Sequence, residues 1–207
     1  MLGWNAEEDV LVAPAVARNR DVILAVLRDA LPATGTVLEI GSGSGEHAVH
    51  IAAALPSLTW VPSDPEPAAR RSIAAHARRA GLANVAAPLD LDAAAGRWPV
   101  GRVSAVVCIN MIHIAPWAAT EGLMAGAGAV LPEEGVLFLY GPFQEEGRHE
   151  ADSNAAFDAS LRERNPDWGV RDREHVSAEA AKHGLILARR VAMPANNLSL
   201  IYRRAPH

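Results

Sequence analysis

The stretch Val37-Leu38-Glu39-Ile40-Gly41-Ser42-Gly43-Ser44-Gly45-Glu46-His47 constrains this chain more than any other. It reads as an apolar strand carrying one acidic residue, then glycines at alternate positions, then the start of a helix. In an α/β sheet such a turn lies at the strand's carboxyl end, where nucleoside-bearing cofactors rest. Glycine lets the backbone turn tightly there and approach a ligand that a Cβ would hold off. Glu39, Gly41, Ser42, Gly43 and Gly45 are therefore expected to form a cofactor-binding turn.

The spacing narrows the cofactor. A dinucleotide turn runs G-x-G-x-x-G, its third glycine packing the helix on the strand and its helix N-terminus facing a pyrophosphate. Here the glycines fall at 41, 43 and 45, and position 46 is glutamate. A carboxylate in the first helical turn repels a pyrophosphate, and Glu39 adds a second negative charge. S-adenosylmethionine has no phosphate, and its sulfonium and ammonium groups are positive, so the same acids favour it. Its ribose needs a bidentate acceptor about 20 residues past the glycines, at the end of strand two. Asp64 lies there, with Glu66 a competitor. For the adenine, at the end of strand three, Asp90 is expected to accept from the exocyclic amine and Leu91 to cover the ring, with Asp92 close enough to compete. Asn110, which ends strand four, is expected to face the methionine end of the cofactor.

Around this turn, strands and helices alternate. Apolar spacing predicts an N-terminal helix at about 14–31, whose polar Arg18-Asn19-Arg20 either faces solvent, the default, or hangs over the first strand's end. Strands are expected at Thr36–Ile40, Leu58–Val61, Val85–Leu89, Val103–Ile109 and Gly135–Tyr140, and helices at His47–Leu55, Pro67–Ala80 and Ala118–Leu131. Gly141 to Asp152 reads as an irregular charged loop. Ser153 is expected to cap a helix running to about Arg164, and Ser177 a short one ending at Gly184. Leu185–Ala192 and Leu198–Arg203, joined by a short turn, imply a terminal antiparallel hairpin. The pattern is that of a doubly wound α/β sheet. It matches the Rossmann-like class I methyltransferase arrangement, which predicts seven strands in the order 3-2-1-4-5-7-6 with an antiparallel last strand.

Composition bounds the partners. A chain of 207 residues, half of them hydrophobic, is most simply one domain spanning 1–207. Its net charge of −5 argues against a nucleic-acid binder, and the arginines at 70, 71, 78 and 79 read as a solvated helix face. A small-molecule substrate is expected, with no nucleic acid and no membrane; the oligomeric state is left open. No apolar run has the length of a membrane span, and the acidic Met1 to Asp9 is unlike a signal or transit peptide. The lone Cys108 fits a reducing cytoplasm. His47 and His50 lie three apart on a helix without a further ligand set, so no metal is expected. A nucleophile elbow would need serine where Gly43 stands.

Several longer segments carry a resemblance: Arg18-Asn19-Arg20, LEIGSGSGEHAVH from Leu38, WVPSDP from Trp60, INMIHIAPW from Ile109, Tyr140-Gly141-Pro142-Phe143, SNAAFD from Ser153, Trp168 to Asp172, and MPANNLS from Met193. Together they resemble the methyltransferase-like family long filed as a domain of unknown function, over nearly the whole chain from about Arg18 to Arg203. The resemblance implies a class I fold and S-adenosylmethionine binding. It names no substrate.

A sulfonium already activates its methyl group, so the protein has mainly to position an acceptor in line and exclude water. A base contributes roughly a hundred- to ten-thousandfold where the acceptor must lose a proton. His113, just past strand four, titrates near neutrality when unperturbed and is the first candidate; Tyr140, ending strand five, is the second. Trp117, Asn154, Phe157 and Asp158 are expected to line the acceptor pocket, with Trp168, Asn196 and Asn197 as further possibilities. The plainer readings are that His113 bonds loop backbone, Asn154 caps a helix and the tryptophans are partly buried core. The function expected is S-adenosylmethionine-dependent methyl transfer to a small-molecule acceptor. The alternatives are a non-catalytic S-adenosylmethionine-binding or regulatory protein and, further off, a nicotinamide oxidoreductase.

Overall fold

The computed structural model describes residues 3–5 and 10–206. Along the chain run β1 (Gly3–Asn5), β2 (Val10–Val12), α1 (Val16–Ala30), β3 (Gly35–Ile40), α2 (Glu46–Ala54), β4 (Leu58–Ser63), α3 (Pro67–Ala80) and β5 (Ala105–Ile109). A 3-10 turn (Met111–His113) leads to α4 (Trp117–Val130), β6 (Val136–Gly141), β7 (Phe143–Glu145), β8 (Arg148–His149) and α5 (Asp152–Arg164). The chain ends with β9 (Arg171–Asp172), α6 (Arg173–Lys182), β10 (Leu185–Met193) and β11 (Asn197–Arg204). The acidic stretch Met1 to Asp9 lies outside the described residues except for β1.

The main sheet has the order β10-β11-β6-β5-β3-β4. β4, β3, β5 and β6 are parallel, and β11 runs antiparallel to both β6 and β10. Strand alternation sends Val37, Val107, Phe138 and Ile201 to one face, packed with α1 and α2 through Ile23, Leu27, Ala48 and Ile51. Leu38, Val106, Leu137 and Leu200 face the other way, against Leu123, Met124, Val176 and Ala180 of α4 and α6. Both faces are covered, which is why β5 reads as an unbroken apolar run. The chain leaves β3 toward β4 and leaves β5 toward β6, so the order reverses between β3 and β5. Ligand crevices form at such a switch point, over the strands' carboxyl ends.

The sheet has six strands rather than seven. The expected third strand joins β4 only through two isolated bridges, Trp60 to Val85 and Ser63 to Leu89. Trp60 exchanges bonds with Asn84 and Ala86, and the Pro62 carbonyl accepts from Leu89 N–H. Residues 60 and 62 of β4 point their backbone to that edge, and Pro62 has no N–H to complete the rung. The other six strands keep the expected order, antiparallel β11 included. Val10–Val12, ahead of the first helix, pairs antiparallel with β1. The loop after β6 holds a small sheet of its own, β8-β7-β9. Asp172, accepting from His175 N–H, caps α6 in place of Ser177. Among the described residues no helix is long and apolar enough to cross a membrane.

Candidate functional site

The glycine turn sits where β3 ends and α2 begins, and its three glycines all have positive φ: +69°, +56° and +88°. They do different work. A Cβ on Gly45 would stand 2.7 Å from the Ile73 Cα, so this glycine lets α3 close on the turn. One on Gly41 would strike Met111, whereas one on Gly43 would meet nothing within 4 Å. Gly41 and Gly43 border a cavity of about 760 Å³ over the ends of β3 and β4.

Asp64, just past β4, lines the same cavity. One of its oxygens accepts from Gly43 N–H at 2.9 Å and the other from Glu66 N–H at 3.0 Å. Burial raises its pKa, against the pull of those two amides. Leu91 and Asp92 also border the cavity. Asp90 does not: its carboxylate turns outward to pair with Arg70 at 3.0 Å. Of the two acids flanking Leu91, the structure brings Asp92 to the cavity. The charged side chains lining it are Asp64, Glu66 and Asp92, all acidic.

Glu39 and Ser42 lie beneath the turn rather than in the cavity wall. Glu39 is 2 % exposed, and its Oε2 accepts from Ser42 Oγ and Trp60 Nε1, both at 2.9 Å. Burial lifts its pKa to about 7 although both hydrogen bonds favour the anion. Ser42 is tied to Ser63 through backbone and side chain. These two residues set the turn's shape. Glu46 accepts from Ala13 N–H and Ser44 Oγ, joining the segment before α1 to the first turn of α2.

A second cavity, of about 800 Å³, opens over the ends of β5 and β6 beneath α1 and α5. Asn110, Tyr140, Asn154 and Phe157 line it, so four residues expected at the cofactor or acceptor meet here. Asn110 adopts the left-handed conformation at φ +62° and donates its N–H to the Tyr140 carbonyl. Asn154 also donates to the Asn196 carbonyl at 2.9 Å. Ile114 and Trp168 border both cavities, and the two meet at this pair.

His113, Asp158 and Trp117 border neither cavity. His113 is 1 % exposed, stacked edge-on to Phe143 and pressed against Gly141, where a Cβ would lie 2.4 Å from its Nε2. Its Nδ1 accepts from Arg171 N–H at 3.2 Å and its carbonyl from Gly169 N–H at 2.9 Å. Burial, reinforced by the Arg171 charge, lowers its pKa to about 3, so the ring is neutral at ordinary pH. Asp158 accepts from Val170 N–H at 2.7 Å and from Arg162 Nε at 3.0 Å. His113 and Asp158 thus clasp the 165–172 loop from two sides, and that loop delivers Trp168 to the seam between the cavities. Trp117 stacks under the Arg171 guanidinium at 5.8 Å, on the far side of the same loop.

Of the charged and amide side chains of the second cavity, Arg18, Asn19 and Arg164 are not singled out as site residues in the sequence. Of the two placements open to Arg18-Asn19-Arg20, the structure takes the overhang for Arg18 and Asn19, over the end of β6 rather than of the first strand. Asn19 links two buried rings. Its Oδ1 lies 2.9 Å from His47 Nε2, and it hydrogen-bonds the Tyr140 side chain. Burial, with His50 and Arg20 nearby, lowers the His47 pKa to about 4, so the ring that shares this hydrogen bond with Asn19 is neutral at ordinary pH. The Tyr140 phenol lies beside the same amide and carries a proton of its own. Burial raises the Tyr140 pKa, keeping that proton in place.

Residues 11–204 match the family model described as Protein of unknown function (DUF938). Among solved structures, the chain is similar to the S-adenosylmethionine-dependent methyltransferase SibL in its apo form, at 20% identity and TM-score 0.76, over 93% of this chain and 56% of that one. It is similar to an O-methyltransferase family protein from Burkholderia thailandensis at 15% identity and TM-score 0.78, covering 92% and 57%. Human N-acetylserotonin methyltransferase, in complex with its S-adenosylmethionine cofactor, gives 11% and 0.77, covering 93% and 53%. The chain spans little more than half the length of these proteins, and at such identities the likeness shows the fold, that of α/β methyltransferases.

Proposed function

We propose that this chain, which belongs to the DUF938 family, binds S-adenosylmethionine in the cavity bordered by Gly41, Gly43 and Asp64 and directs methyl transfer to a small-molecule acceptor in the adjoining one. The observation that carries this reading is the charge of the first cavity. Its charged lining is wholly acidic, at a glycine turn on the sheet's switch point. A pyrophosphate is disfavoured there and a cation is welcome. The open space over Gly43 admits a ligand against the backbone.

In this reading Asp64 holds the ribose hydroxyls, Leu91 covers the adenine, and Asp92 takes the polar edge assigned above to Asp90. When bound, the cofactor supplies a methyl group made electrophilic by its sulfonium. Ile114 and Trp168 wall the junction and keep water from it. Tyr140 stays protonated and orients the acceptor by donating from its phenol. His113 holds the loop that carries Trp168, so we assign it a positioning role rather than that of a base. Cys108, buried in β5 with its thiol pushed up to about 12, is an unreactive part of the core, compatible with a cytoplasmic enzyme.

Calorimetry with S-adenosylhomocysteine, the demethylated cofactor, tests the assignment. Wild-type protein should bind it, and Asp64→Ala should weaken binding at least tenfold, since it removes a charged partner for two hydroxyls. Intact folded protein that ignores this ligand would refute the reading.

A further inference from the structure

The two cavities carry opposite charge. The first is lined by three acids and no base, the second by two arginines and no acid, among the described residues. We propose that the acceptor binds as an anion: an apolar, ring-bearing small molecule with one carboxylate, held by Arg18 and Arg164. This rests on the assignment of the acid-lined cavity to the cofactor, because the acceptor is then left with the basic one.

The arginines come from different elements, Arg18 from α1 and Arg164 from the last turn of α5, so the cation pair exists only in the folded cavity. Arg18 makes no side-chain hydrogen bond or ion pair among the described residues. Arg164 sends its Nε to the Ser160 carbonyl at 3.1 Å and lies over the Trp168 ring at 5.9 Å. Stacking fixes the plane of the guanidinium and leaves its outer nitrogens for a ligand. Trp168, Phe157 and Tyr140 provide the flat walls that suit a ring. Tyr140 adds a neutral donor beside Asn19. Two charged donors and one neutral donor, with no carboxylate competing, match one organic acid. A cation would be repelled by both guanidinium groups, and a neutral sugar would leave their charge uncompensated.

The test uses 2-naphthoate and its neutral isostere 2-naphthamide as probes. Their binding to the whole protein is measured by calorimetry with and without saturating S-adenosylhomocysteine. The acid should bind at least tenfold more tightly than the amide, as charge-assisted hydrogen bonds require. Arg18→Gln and Arg164→Gln should each erode that preference, and the double variant should abolish it with S-adenosylhomocysteine affinity unchanged. Both arginines are exposed, so neither change removes core packing, and Arg18→Lys should restore part of the preference. Equal binding of acid and amide, no binding of either, a preference that survives in the double variant, or competition between the acid and S-adenosylhomocysteine would each overturn the proposal. If the acid preference holds while S-adenosylhomocysteine fails to bind, the anion site stands and the cofactor assignment falls.

Discussion

Gly43 and Gly45 are two residues apart and differ in what a methyl group would meet. At Gly45 an alanine combines φ +88° with a Cβ 2.7 Å from backbone of α3. Left-handed strain costs about 1–2 kcal/mol, and the overlap with α3 adds at least as much. At Gly43 the strain is similar, but the methyl enters open space at the cavity. Gly45→Ala should therefore lower stability by about 2 kcal/mol or more in urea unfolding. Gly43→Ala should fold with a smaller loss and bind S-adenosylhomocysteine at least tenfold more weakly. Equal stability losses, or unchanged affinity in Gly43→Ala, would dissolve the distinction. In the sequence the three glycines look alike, because what separates them is Ile73, brought up by a helix that starts beyond β4. The same limit applies to Glu39 and Ser42. Their types fit the turn, but whether they face the ligand or its floor depends on Trp60 and Ser63 arriving from the next strand.

Elements with a strong period were legible, and those without one were not. The buried positions Ile23, Leu24, Leu27 and Ala30 of α1 and the unbroken apolar run of β5 are local signals of local structure. The loops after β5, β6 and α5 carry no period, and they supply Asn110, Ile114, Pro142 and Trp168 to the second cavity. Their order comes from contacts distant in sequence, such as Asp158 to Val170 and His113 to Gly169 and Arg171. Proximity to a strand end made His113 look like a group facing a substrate, and a place near a helix start did so for Asp158, yet both point into the protein and hold the loop. At this scale the prediction concerns that clasp. Asp158→Ala leaves Val170 N–H without its acceptor, a loss of about 1–3 kcal/mol for a buried donor. Hydrogen exchange at the amides of 167–171 should then accelerate at least tenfold while the β5 and β6 amides stay protected. Unchanged protection of Gly169 and Val170 would show that the loop does not depend on Asp158.

Across the whole molecule, three of the buried titratable groups near the carboxyl end of the sheet have values displaced to between about 3 and 7: Glu39 on β3, His47 on α2 and His113 in the turn after β5. Their pKa values move so as to keep each group neutral. Glu39 rises from 4.5 to about 7, so the stability it lends is full below 4.5 and is lost as pH climbs toward 7. His47 falls from 6.5 to about 4 and His113 to about 3, so what they lend is full above 6.5 and is lost as pH drops toward those values. Each group changes stability by about 1.4 kcal/mol per pH unit within its window. Between pH 4.5 and 6.5 two imidazoles outweigh one carboxyl, and stability should rise by about 1.4 kcal/mol per unit. Between 6.5 and 7 the carboxyl acts alone and the trend reverses, placing the maximum set by these three groups near pH 6.5. Urea unfolding from pH 4.5 to 8 measures this curve, and two variants separate its limbs. Glu39→Gln keeps an acceptor for Trp60 and Ser42 while removing the proton, so the decline above 6.5 should vanish and the rise below it should steepen to about twice its slope. His113→Leu should reduce the acid limb. A Glu39→Gln profile parallel to the wild type would mean that Glu39 is ionised throughout, and the turn would then rest on a buried charge instead of a neutral strut.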